Sequence, residues 1–134
     1  MSTLNGTVAG TKPAVDTYTR VFTGRPESVA AARIWVAGFT PSSAADDVAL
    51  MTSELVTYAI LHSASRLPGG HVTVSVKAID EMVRVDVVDQ GALPPDLTGP
   101  RGLGLALAVV AALADVFGAD GPDRWFTLRT DAAR

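Results

Sequence analysis

Two short alternating stretches fix most of what this chain can fold into. Val72, Val74 and Val76 alternate with Thr73, Ser75 and Lys77, and Val83, Val85 and Val87 alternate with Arg84 and Asp86. A period of two sends successive side chains to opposite faces, so each stretch reads as a strand with one apolar face. Only the polar link Ile79-Asp80-Glu81 separates them, too short for the crossover that parallel strands require. The two strands therefore form an antiparallel hairpin, and a chain of successive parallel β-α-β units is excluded.

The neighbouring stretches read as helices and outer strands. Tyr18 to Thr23 alternates and predicts a first strand, broken at Gly24-Arg25-Pro26-Glu27. Pro26 suits the first turn of a helix and Glu27 favours the positive end of its dipole. Val29, Arg33, Val36 and Ala37 then recur at helical spacing as far as Gly38. After Thr40-Pro41-Ser42-Ser43 a second helix is expected from about Ala44 to about His62, with Val48, Met51, Leu55 and Ala59 as its apolar stripe. The stretch from Ser63 to Gly70, with Pro68, Gly69 and Gly70 as breakers, ends it. Gln90 to Pro100 reads as a loop, Leu103 to Val116 as a third helix, and Arg124 to Thr130 as a last strand reached through the turn Asp120-Gly121-Pro122. The order β, α, α, β, β, α, β predicts an α+β two-layer sandwich, a mixed, mostly antiparallel sheet with three helices on one face.

Composition narrows the function classes. With 134 residues, 48% hydrophobic and 19% charged, the chain suits one domain with a real core. A flexible N-terminal tail at 1–16 and a single domain at 17–134 are expected. A net charge of −3 with no basic cluster argues against nucleic acid, whose phosphates demand grouped Lys and Arg. The absence of cysteine excludes disulfides, thiolate zinc sites and a cysteine nucleophile. His62 and His71 are the only histidines, too few to suggest a metal cluster. No apolar run reaches the roughly 18 residues of a membrane span, and the first 14 residues lack the basic-then-apolar order of a signal peptide. The expectation is a soluble, cytoplasmic protein.

Three segments carry candidate chemistry. Gly99-Pro100-Arg101-Gly102-Leu103-Gly104-Leu105 stands at the start of the third helix. Glycine lets the backbone approach a ligand closely, and a helix N-terminus attracts anions. The plain alternative is a flexible loop with a close packing contact. Its spacing is not G-x-G-x-x-G, no strand precedes it, and it lacks the P-loop lysine, which argues against both of those nucleotide folds. Asp89-Gln90-Gly91 directly follows a strand. A carboxylate there can accept from a ligand amine, although Asp and Gly also serve as ordinary turn residues. On the second helix Glu54, Tyr58 and His62 recur every four residues and share a face. Glu54 is a candidate general base, against the plain alternative of a solvated surface carboxylate.

Taken in order, Glu54-Leu55-Val56-Thr57-Tyr58-Ala59, Asp89-x-Gly91-x-x-Pro94 and Arg101-Gly102-Leu103-Gly104-Leu105 resemble the Bergerat-fold ATPases. They look most like the small anti-sigma factor serine/threonine kinases of actinobacteria. Gly24-Arg25-Pro26-Glu27-Ser28-Val29 with Ala32-Arg33 resembles the start of the same proteins, so the resemblance runs from about 18 to 130. It implies an ATP- or ADP-binding regulator of a sigma factor or of its antagonist, acting by binding and by phosphorylation, with a homodimer as one assembly open to it. By position it implies Glu54 as general base, Asp89 on the adenine amine, and Gly91 as the residue that lets the adenine seat. Gln90 to Arg101 would form a lid. Gly102, Leu103 and Gly104 would offer backbone to the phosphates and Arg101 its charge. Thr127 is a further candidate for the adenine pocket. His62 also matches the family's pattern and is read here as a structural, partly buried histidine at a helix end.

One residue departs from the resembled pattern. The family's helix reads Glu-x-x-x-Asn, whose asparagine holds the magnesium that bridges the phosphates, and Tyr58 stands in that place. A phenol is a poor ligand for an ion that demands near-ideal octahedral oxygens at short range. An active kinase and a non-catalytic binding module of the same fold, without magnesium-dependent transfer, therefore both stay open.

Overall fold

The alternating hairpin is the centre of the sheet. A computed structural model describes residues 15–94 and 103–130. Its elements run β1 (Val15–Thr23), α1 (Glu27–Ala37), α2 (Ser42–His62), a single 3-10 turn (Ala64–Arg66), β2 (His71–Ile79), β3 (Met82–Val88), α3 (Leu103–Leu113), β4 (Val116–Asp120) and β5 (Asp123–Arg129). The sheet order is β1-β2-β3-β5-β4, and every described pairing is antiparallel. The fold is α+β, and its sheet is antiparallel throughout the described residues rather than mixed. The expected tail falls at 1–14, outside the described residues, except for its last two positions, which open β1.

The two periods read from the sequence meet in the core. Val72, Val74, Val76, Val83, Val85 and Val87 are buried on one sheet face against Val48, Met51, Leu55, Val56 and Ala59 of α2. Ala32 and Val36 of α1, Val110 of α3, and Phe126 and Leu128 of β5 complete the cluster. At the β1 edge Tyr18 stacks on Phe39 at 4.1 Å, and Trp35 meets both Phe39 and Phe22 edge-on. The β2–β3 turn is Asp80-Glu81, with Asp80 at φ 51°, a left-handed conformation that Asp tolerates better than most residues.

The third helix is shorter than expected. It ends at Leu113, and Val116 opens β4, an element missing from the order β, α, α, β, β, α, β. An apolar run looks the same in a buried helix and in a strand. Here pairing decides: Val116 and Phe117 lie opposite Thr127 and Phe126, and the Asp115 amide donates to the Thr127 carbonyl at 2.9 Å. Gly121, at φ 59°, and Pro122 turn β4 into β5.

The sheet face away from the helices is polar. Arg84 forms two hydrogen bonds to Asp86, at 2.8 and 2.9 Å, and lies over the Trp125 ring at 4.2 Å. Burial, then the proton it shares with Asp86, pushes the Asp123 carboxyl up to about 6. Burial works against the Asp86 charge too, but the Arg84 guanidinium and the Asp123 proton hold its carboxyl below the usual range.

Candidate functional site

The cavity forms where the end of α2, the loop after β3 and the β4–β5 turn converge, and its volume is about 390 Å³. Small-molecule sites commonly fall in this range. Helix α2 and its cap contribute Tyr58, His62 and Ser63. The loop contributes Asp89, Gly91, Ala92 and Leu93, and the hairpin contributes Gly121, Pro122 and Arg124.

Local chemistry shapes the loop. The Asp89 carboxylate accepts from the Gly91 amide at 2.7 Å, the i to i+2 turn that Asp favours. Gly91 sits at φ 91°, which glycine adopts without the steric cost a Cβ brings. Backbone hydrogen bonds then tie the loop on two sides. The Ala64 amide donates to the Gly91 carbonyl at 2.8 Å, and the Asp89 amide to the Pro122 carbonyl at 3.0 Å. The Gln90 amide donates to Ser65 Oγ at 3.1 Å, while Gln90 Oε1 accepts from the His71 amide at 2.8 Å. Ser63 pairs with Ala92 as an isolated bridge. Asp89 is thus fixed at the strand end by a rigid frame.

The carboxylate is covered. Asp89 forms an ion pair with Arg124 and keeps only 1% of its side chain exposed, against 14% for Arg124. The same guanidinium lies over the Tyr58 ring at 4.6 Å, and the Tyr58 ring meets His62 at 5.0 Å. Arg124 Nε is buried and has no hydrogen-bond partner among the described residues. The resulting layer is His62, Tyr58, Arg124 and Asp89, drawn from α2, β5 and the loop.

The cavity gathers some of the expected residues and leaves others apart. Tyr58, His62, Asp89 and Gly91 share its wall, and His62 is half-buried against Tyr58. Glu54 is half-buried one turn before Tyr58 and is not part of the lining. Thr127 alternates with the core residues Phe126 and Leu128 and so projects from the other sheet face. Its hydroxyl approaches the Val116 carbonyl at 3.4 Å. Leu103 and Gly104 form the first turn of α3. Arg101, Gly102 and most of the expected lid lie outside the described residues.

Arg124 is the cavity-lining charge that the sequence motifs do not single out. It shares a strand face with Phe126 and Leu128, and once those two are placed in the core a charge on their face needs a buried partner.

The donor set does not fit a magnesium ion. Tyr58 offers a phenol in place of an amide oxygen, and its ring already carries the Arg124 cation. The set does suit a nucleotide base in kind, with a carboxylate, a half-buried glycine that carries no side chain, and apolar walls at Ala92, Leu93 and Pro122. Among the described residues, no helix is long and apolar enough to cross a membrane.

Comparison with known proteins places this geometry in a wider set. A model of the histidine kinase-like ATPase domain matches residues 22–125. An anti-sigma F factor from Geobacillus stearothermophilus is 33% identical over 85 residues, covering 60% of this chain and 58% of that protein. The anti-sigma F factor of Geobacillus kaustophilus gives the same identity and coverage. The chain thus spans about 58% of the length of these curated relatives. The crystal structure of the RsbU and RsbW domains of a Mycobacterium tuberculosis protein superposes with a TM-score of 0.56 at 20% identity. It covers 84% of this chain and 31% of that one, a likeness of fold.

Proposed function

We propose, from the premise that this chain belongs to the histidine kinase-like ATPase domain family, that it is an ATP-binding regulatory protein. It acts on a sigma factor, or on the antagonist of one, by binding it. The observation that carries this reading is the convergence of Tyr58, Asp89 and Gly91 on one cavity, in a chain similar to two anti-sigma F factors. In this reading Asp89 accepts the adenine amine and Gly91 leaves room for the ring. Arg101 and Gly102, with Leu103 and Gly104 of the first turn of α3, offer donors to the phosphates; in the phosphorylating reading Glu54 takes the proton of a serine hydroxyl as the serine oxygen bonds to the γ-phosphorus and ADP leaves. A cytoplasmic location follows from such a partner, and a homodimer is compatible with it. Tyr58 favours a second reading for the last step only: partner binding without phosphoryl transfer, because the magnesium ligand is missing.

Isothermal titration with ATP, in magnesium and in EDTA, tests both. One site per chain is expected, with an affinity that magnesium changes less than about threefold, roughly 0.6 kcal/mol. Tight binding that appears only with magnesium removes the second reading. No heat in either buffer removes nucleotide from the function.

A further inference from the structure

The carboxylate assigned to the adenine amine is the group a base cannot reach in this conformation. Its side chain is 1% exposed because Arg124 covers it. Three observations make this cover a removable part rather than a fixed wall. Arg124 comes from the start of β5, beside the β4–β5 turn, and keeps 14% of its side chain in contact with solvent. Its Nε is buried and finds no hydrogen-bond partner among the described residues, so the covered state leaves that donor unsatisfied there, a desolvation cost that departure relieves. Finally, Asp89 does not depend on Arg124 for its position, since the Gly91 amide holds it at 2.7 Å and the Asp89 amide is tied to Pro122.

We propose that Arg124 is a plug in the base seat, held there by the Asp89 carboxylate and the Tyr58 ring, and that a 6-amino purine binds only when Arg124 swings away. The proposal rests on the nucleotide reading above and adds the residue that sets its affinity and base preference. While the plug is in place, the seat shows a guanidinium, which only donates. Once it leaves, the seat shows a carboxylate, which only accepts. The open seat therefore selects a 6-amino purine over a 6-oxo purine, because the oxo group would leave the carboxylate facing another acceptor. Tyr58 stands where the resembled family has its metal-binding asparagine, and here it does something else. Its ring is the platform that keeps the plug over Asp89.

Titrations of ATP and ITP against the wild type, Arg124→Ala and Tyr58→Leu test this. Arg124→Ala clears both the charge and the bulk, and ATP affinity is expected to rise about tenfold or more, the equivalent of one charge-assisted hydrogen bond. ITP affinity should rise much less. Tyr58→Leu removes only the platform and should raise ATP affinity about two- to fivefold. Circular dichroism melts establish that each variant is folded, and if Arg124→Ala is not, Tyr58→Leu carries the test. ATP affinity unchanged or weaker in the folded variants overturns the plug and leaves nucleotide binding standing. ITP rising as much as ATP overturns the base selection. ATP binding to none of the three proteins overturns the plug and the nucleotide reading together.

Discussion

Arg124→Ala is expected to destabilise the fold by about 3 kcal/mol, at the low end of the cost of breaking a buried ion pair. Asp89→Ala is expected to cost only about 1–2 kcal/mol, the scale of a charged hydrogen bond. The asymmetry follows from what each substitution strands. Without Arg124, the Asp89 charge stays at the strand end, still held by the Gly91 amide but stripped of the guanidinium that covers it. The cavity beside it admits water, which keeps the loss near 3 kcal/mol rather than about 5. Without Asp89, the Arg124 side chain can turn outward to solvent, and the main losses are the pair itself and the turn hydrogen bond to Gly91. Urea unfolding of the two variants reads the difference. Equal costs, or a greater cost for Asp89→Ala, contradict a guanidinium that can leave its seat.

The second large effect lies in the core that supports the site. Phe126→Ala is expected to lower the unfolding free energy by about 3–5 kcal/mol. Phe126 is fully buried and is among the largest side chains in the core. It sits on β5 opposite Val85 of β3 and Phe117 of β4, so its loss opens a void where the last strand joins the central hairpin. Neighbours fixed in two strand ladders can relax little into that void, which places the cost toward the upper part of the range. A urea midpoint shift worth less than about 1 kcal/mol would mean that β5 repacks freely. A strand that repacks freely could not hold Arg124 over Asp89.

The sequence carried the central elements because their periods were clean. Val72, Val74 and Val76 of β2 and Val83, Val85 and Val87 of β3 alternate without a break, and the α2 stripe Val48, Met51, Leu55, Ala59 keeps steps of three and four. All of them are buried in the structure. Strand β4 was not legible, since Val116 and Phe117 merely prolong an apolar run and their pairing with Thr127 and Phe126 is a long-range fact. The site divides in the same way. Asp89 and Gly91 were readable from local chemistry, a carboxylate at a strand end followed by a glycine that takes a positive φ. Arg124 was not, because its face on β5 becomes informative only once Phe126 and Leu128 are known to point into the core. The same alternation sends Thr127 to the other face of the sheet.

Mapping amide chemical shifts during a titration with ATP tests most directly whether this cavity is the nucleotide site. Binding at the cavity moves the amides of Gly91, Ala92, Leu93 and Gly121, and the Arg124 side-chain resonances shift as the guanidinium leaves Asp89. Shifts confined instead to the groove bordered by Arg25, Arg66 and His71, or no shifts at millimolar ATP, would contradict it.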